Sequence, residues 1–281
     1  MKPRGKPPHS VGVLQRWIHE TESATGVPVA RQQRWVSYMV LAAMLDRAHD
    51  ADDMPLFLIK GGVAMELRFA LDARATKDLD LACRTEPAAM ITSLDEALHA
   101  GHGDFTARRT AIEPIRDTGA HRTTIKLSYR GRPWASVTTD LAPTEPGIGD
   151  DIDRLPAKPL SHLGLDGPAD IPCIAVHWQI AQKLHACTER FAADHANERY
   201  RDLIDIILLW DLTNDPTITR RACTRIFEHR QAHPWPPTVQ PPPDWADPYL
   251  SLARDIGFPI SELEHAVVTV DNIITTIDRS R

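Results

Sequence analysis

The sequence predicts a two-lobed α/β protein, with a mixed sheet and added helices in the N-terminal lobe and a helical bundle in the C-terminal lobe. Three observations carry this. Residues 56–82 read as strand, Gly-Gly turn, helix and strand in direct succession. Residues 105–141 hold three short strand-like runs around a hairpin signal. From Pro172 onward the apolar residues recur at helical spacing instead. The lobes are assigned to residues 1–160 and 161–281. A linker is placed in the Pro-, Gly- and Asp-rich stretch 143–170, which lacks clear periodicity.

Taken in order, residues 1–10 carry charges and prolines but no apolar run, which predicts a disordered tail and no signal peptide. A short amphipathic helix is expected over 11–21 and a longer one over 29–48. In the second, Trp35, Tyr38, Met39, Leu41, Ala42 and Leu45 form a broad apolar face that can cover the sheet. Leu56 to Ile59 is an apolar run of buried-strand type. Val63, Leu67, Ala70 and Leu71 mark a helix after Gly61-Gly62, and residues 78–81 alternate polar and apolar. A helix over 90–99 and strands over 105–109 and 123–129 follow. Arg130-Gly131 then makes a hairpin turn into a return strand over 132–141. Beyond the linker, helices are expected over 176–193, 199–212, 216–231, 249–255 and 260–278. The tract HPWPPTVQPPPDW reads as a rigid wrap over the helical lobe.

The chemistry gathers at the Gly-Gly turn. Glycines opening a helix let a ligand approach the backbone, where free N–H groups and the positive end of the helix dipole favour phosphate. Lys60 adds a mobile positive charge. Asp78 and Asp80 are two apart on a strand, so both face the same side. Two neighbouring carboxylates repel unless a cation lies between them, and magnesium prefers such hard oxygen ligands together with substrate phosphates. These parts suit metal-assisted chemistry on a nucleoside triphosphate. Asp140 shares a strand face with Trp134, Ser136 and Thr138 and reads equally as a third carboxylate or a solvated strand end. Lys126, near Arg122, Arg130 and Arg132, reads either as a phosphate contact or as part of a solvated hairpin.

Lys183 and Asp205 stand apart. Asp205 lies in the apolar run LIDIILLW, where an unpaired carboxylate is costly, so it needs a partner: Lys183 on the preceding helix or Arg201 four residues earlier. A structural ion pair is the simplest reading. His177, His185 and His195 have no carboxylate at ligand spacing and read as packed or surface side chains. The four cysteines are scattered, which argues for free thiols and against a zinc site. With a net charge of −6, 42% hydrophobic and 25% charged residues, the chain is an ordinary globular one, and any nucleic-acid contact must come from a local basic patch. No run is long enough to span a membrane, and a cytoplasmic monomer is expected.

The stretch KGGVAMELRFALDARATKDLDLA resembles the GG…DxD signature of polymerase-β-type nucleotidyltransferases. More narrowly, with IKLSYRGRPWASVTTD, WQIAQKLHA and RYRDLIDI, the chain resembles the AbiEii/AbiGii toxin family, including the tRNA-directed MenT toxins. The resemblance spans roughly residues 56–209. It implies a nucleotidyltransferase core, an NTP substrate with magnesium on Asp78, Asp80 and Asp140, and a nucleotide in the cleft between the lobes. It also implies that Asp140 completes the metal site or acts as base. Lys60, Gly61, Gly62, Lys126 and Lys183 become nucleotide-binding candidates. Lys183 and Asp205 become active residues, in place of the simple ion pair, with Arg201 and Asp202 as neighbours. The implied acceptor is the 3′ CCA end of tRNA, the donor often a pyrimidine nucleotide, and a cognate antitoxin is the expected partner. A phosphate on Thr76, beside the carboxylate pair, is expected to inactivate such an enzyme. Two alternatives stay open: a transferase acting on a protein or small molecule, and a non-catalytic nucleotide or RNA binder.

Overall fold

The structure is a computed structural model that describes residues 2–115, 118–189 and 198–280. Eight strands form one mixed sheet: β1 (Phe57–Lys60), β2 (Asp78–Cys83), β3 (Phe105–Arg109), β4 (Glu113–Pro114), β5 (His121–Tyr129), β6 (Arg132–Pro143), β7 (Ile152–Pro156) and β8 (Asp170–Ile174). Their order is β3-β5-β6-β2-β1-β8-β7, with β4 beside β5. β2 runs parallel to β6 and antiparallel to β1, and β8 runs parallel to β1. The chain divides into two compact units. The first comprises residues up to Arg68, Ala75–Thr144 and Arg154–Cys173. The second comprises Phe69–Arg74, Glu145–Asp153 and the chain from Ile174 on.

In the first unit, alternation along the strands sorts the sheet into two faces. Leu79, Leu81, Ile125, Leu127, Val137 and Leu141 point to one side and are buried. They share a core with α1 (Val11–Thr25), α2 (Val29–Leu45) and α4 (Pro87–His99). The opposite face carries Asp78, Asp80, Thr138, Asp140, Arg122 and Lys126. The β5–β6 hairpin turns at Arg130-Gly131, where φ is 47° and 73°, the double positive φ of a type I′ turn.

Two expectations fail here. The predicted disordered tail is seated on the first unit. The Arg4 backbone N–H donates to Ser161 O at 2.9 Å, its guanidinium lies 4.1 Å from the Trp17 ring centroid, and the Tyr129 hydroxyl donates to Pro8 O. These partners are far away in sequence, so local composition cannot reveal them. The unpatterned stretch 143–170 also contains β7, and β8 begins at its last residue. Both are short strands at one edge of the sheet, too brief to establish a period.

The second unit is built on α5 (Val176–Thr188), α6 (Tyr200–Trp210), α7 (Pro216–Arg230), α8 (Ala246–Asp255) and α9 (Leu263–Arg279). Residues 190–193 of the helix expected over 176–193, and His195 beyond it, lie outside the described residues. The proline tract does wrap these helices: Trp235 packs on Phe227 and donates to Asp278, and Trp245 packs on Tyr200. All four cysteines are buried and free, and burial pushes the Cys83 thiol up to about 12.

His185 is also packed in, against Phe227 and His233. Burial, then Arg230 and His233, lowers its pKa from 6.5 to about 4, against an opposing pull from Glu145. A histidine held neutral when folded, but free to protonate when unfolded, adds stability that is complete above pH 6.5 and falls away towards pH 4. The loss is about 3 kcal/mol. Chemical denaturation at pH 7.5 and pH 5 should therefore show a larger drop for the wild type than for His185→Gln.

Candidate functional site

The Gly-Gly turn and the carboxylates belong to the first unit, and its sheet register lines them up. Lys60 at the end of β1 pairs with Asp80, Asp80 pairs with Asp140, and Asp140 pairs with Arg122, giving one row across four strands. Asp78 stands one row on, opposite Thr138. All these positions lie on the polar face, as the period of 2 requires.

The two glycines have separate steric reasons. Gly61 has φ +61°, and a Cβ there would come within 1.9 Å of Asp80 Oδ2. The Asp80 carboxylate therefore occupies the space that any side chain at position 61 would fill. At Gly62 a Cβ would meet the Thr76 side chain, with Cβ at 2.6 Å and Oγ1 at 2.7 Å. Thr76 is buried, at 7% exposure, and its hydroxyl donates to Asp78 O at 3.3 Å. Access to that hydroxyl requires the segment before β2 to open. Gly61→Ala is expected to combine the strain of a left-handed alanine, about 1–3 kcal/mol, with displacement of Asp80. Thermal melting and a manganese titration check this; unchanged values for both would refute the interlock.

Asp140 is not free. Arg122 donates to its carboxylate through Nε and Nη2, both at 2.7 Å, in a forked pair. That hydrogen bond and charge raise the pKa of Arg122. No group of three His, Cys, Asp or Glu residues is disposed to hold a metal among the described residues. The donor set still fits magnesium in chemical kind: two hard carboxylates share a face beside a glycine cradle, and a third can join once Arg122 lets go. Lys126 sits on the same face opposite Ser136 and Arg108, two rows from Asp80 and Asp140 and one row beyond that of Asp78.

Glu66 was not singled out from the sequence. It lies on α3 (Gly61–Phe69), only 2% exposed, and accepts from Thr76 N–H at 2.8 Å, from Arg31 Nε at 3.1 Å and from the Trp35 indole. It ties the segment before β2 to the helix after the glycines. A charged residue inside VAMELRF is the only sequence signal for it.

In the second unit, Lys183 lies on α5 and Asp202 and Asp205 on α6. The Lys183 ammonium donates to Asp202 Oδ1 at 2.7 Å and to Asp205 Oδ2 at 2.6 Å, all three side chains being buried. Burial alone would lower the lysine pKa, but Asp202 and Asp205 outweigh it and hold the pKa up. Arg74 Nη2 also approaches Asp205 Oδ2, at 3.5 Å. Arg201, the other partner considered, pairs with Glu198 at 2.9 Å instead. Asp205 Oδ1 is buried without a hydrogen-bond partner among the described residues. His177 Nε2 meets Asp151 Oδ2 at 3.0 Å, a local polar contact, and burial lowers the histidine pKa against the pull of Asp151 and Asp153.

The description "Nucleotidyl transferase AbiEii toxin, Type IV TA system" belongs to the family model that matches residues 43–266. Among solved structures, the chain is similar to MenT4, a nucleotidyltransferase toxin of Mycobacterium tuberculosis H37Rv. The TM-score is 0.55 at 14% identity, with 95% of this chain and 99% of that one covered. It is also similar, with a TM-score of 0.44 at 15% identity, to a structure described as a nucleotidyltransferase from H. pylori, over 87% of this chain and 92% of that one. No curated protein sequence matches. No helix among the described residues is long and apolar enough to cross a membrane.

Proposed function

The chain belongs to the AbiEii nucleotidyltransferase toxin family, and on that premise we propose that it transfers NMP from an NTP to the 3′ CCA end of tRNA, releasing pyrophosphate. Blocking that end prevents aminoacylation and stops translation. The donor in this reading is a pyrimidine nucleotide, the protein acts in the cytoplasm as a monomer, and a cognate antitoxin restrains it. The observation that carries the reading is the row Lys60–Asp80–Asp140, with Asp78 beside it and Gly61 reduced to a hydrogen by the Asp80 carboxylate.

In this reading Asp78 and Asp80 hold magnesium, and Asp140 joins them or takes the proton from the attacking hydroxyl after parting from Arg122. Magnesium bound there would neutralise triphosphate charge and acidify that hydroxyl. The N–H groups at Gly61 and Gly62 cradle phosphate, and Lys60 and Lys126 add positive charge along the face. Lys183 neutralises phosphate charge and Asp205 orients it, since positioning and electrostatics dominate phosphoryl transfer.

Purified protein incubated with total RNA and each labelled NTP in turn tests this. Label from a pyrimidine triphosphate in the tRNA band, with loss of aminoacylation, is the expected result. Label on protein, or none from any NTP, would overturn the tRNA reading.

A further inference from the structure

The first unit also holds a concave site whose lining includes no residue of the Gly-Gly turn or of the carboxylate row. A cavity of about 420 Å³ lies between the end of α1, the first turns of α2 and the segment 158–163. Val27, Trp35, Val36 and Leu160 give it an apolar wall; Lys158 and His162 supply polar groups. Its volume is that of a site for a small organic ligand.

The charges favour an anion. The Lys158 ammonium lies 4.4 Å from the Trp35 ring centroid, and no carboxylate forms an ion pair with it among the described residues. Arg31 lies on the same indole at 5.4 Å. Glu66 is the carboxylate that serves this group, and Arg31 and the Trp35 N–H already engage it. Lys158 thus has Glu66 near it only as a carboxylate that other groups already engage. Burial lowers the Lys158 pKa, Glu66 raises it and Arg31 lowers it again, which agrees with a cation short of negative charge. Burial likewise lowers the pKa of His162, so its ring adds a neutral polar edge near pH 7.

The wall is also wired to the turn. Trp35 donates to Glu66, and Glu66 accepts the Thr76 N–H, whose side chain fills the space beside Gly62. We infer that this cavity binds a small organic anion with a flat apolar body, its charge on Lys158 and its ring along Trp35, and that the occupant tightens the segment before β2 through Glu66.

The probe is 8-anilinonaphthalene-1-sulfonate, with the uncharged N-phenyl-1-naphthylamine as its partner, titrated by fluorescence on the full chain. The sulfonate should bind one-to-one. Lys158→Met should weaken it at least about tenfold, the loss of roughly one charge-assisted contact. Lys158→Arg should keep binding within about threefold, and the neutral amine should not distinguish the three proteins. Hydrogen exchange at the Thr76 amide should slow at saturating sulfonate. Equal sulfonate affinity in wild type and Lys158→Met overturns the anion site, as does a parallel loss of the neutral dye; unchanged exchange at Thr76 overturns the coupling. None of these readings depends on nucleotide transfer, so they stand or fall apart from the proposed reaction.

Discussion

Asp80→Asn is expected to abolish labelling of RNA while leaving the fold intact. The substitution removes one charge at nearly constant volume, at a position in register with Lys60 on one side and Asp140 on the other. The backbone ladder of β2 does not depend on the carboxylate, and Gly61 leaves room for either side chain. What changes is the donor set: an amide oxygen replaces a full negative charge opposite a hard cation. Transfer should fall by at least about a hundredfold, the scale on which removal of one charge-stabilising group slows an enzyme. Circular dichroism and melting temperature should stay close to wild type, and manganese affinity should fall. Wild-type labelling by a folded Asp80→Asn protein would refute the assignment.

The second large effect concerns Lys183 and Asp205, where a structural and a catalytic role predict different outcomes. As a structural pair, loss of the lysine would strand Asp202 and Asp205 in a buried setting, at a cost of about 3–5 kcal/mol. Arg74 and Arg199 soften that cost, since they lie 3.5 Å from Asp205 and 3.3 Å from Asp202. A purely structural role also predicts that Lys183→Met with Asp205→Leu recovers stability and activity together. The expected result differs. Lys183→Met should cost transfer far more than melting temperature, and the double variant should stay inactive however stable it is. The reason lies in the incomplete satisfaction of the cluster. Asp205 is 0% exposed, yet among the described residues its Oδ1 has no hydrogen-bond partner. Such an atom inside an apolar helix is an expensive way to hold two helices together, and leucine would do it more cheaply. Melting curves and labelling assays on both single variants and the pair decide between the roles. Recovery of activity in the double variant would refute the catalytic one.

The sequence by itself determined the parts whose signal is local. The strand, glycine turn, helix and strand around residues 56–82 follow from an apolar run, two adjacent glycines and a switch from helical spacing to alternation. The shared face of Asp78 and Asp80 needs only the two-residue period of a strand. Even the contact of Lys183 with Asp205 was legible, because a carboxylate inside LIDIILLW must find a cation and few were within reach. Tertiary structure alone decided what depends on register and distant partners. The Arg122–Asp140 fork is the clearest case. Counted back from the turn at Tyr129 and Arg132 without interruption, Arg122 would face Thr139, with Asp140 on the other side of the sheet. An irregularity between Leu127 and Ser128 shifts the pairing by one residue and brings Arg122 opposite Asp140. Pro133, which cannot donate to the ladder, is the local mark of an irregularity in KLSYRGRPW, but it does not say which residues then pair. Glu66 and the seated N-terminal tail escaped for the same reason: they are held by partners outside their own segments, and the energy that fixes them appears only once the chain has closed on itself. The edge strand β7 escaped for a different one, since five residues are too few to show a period.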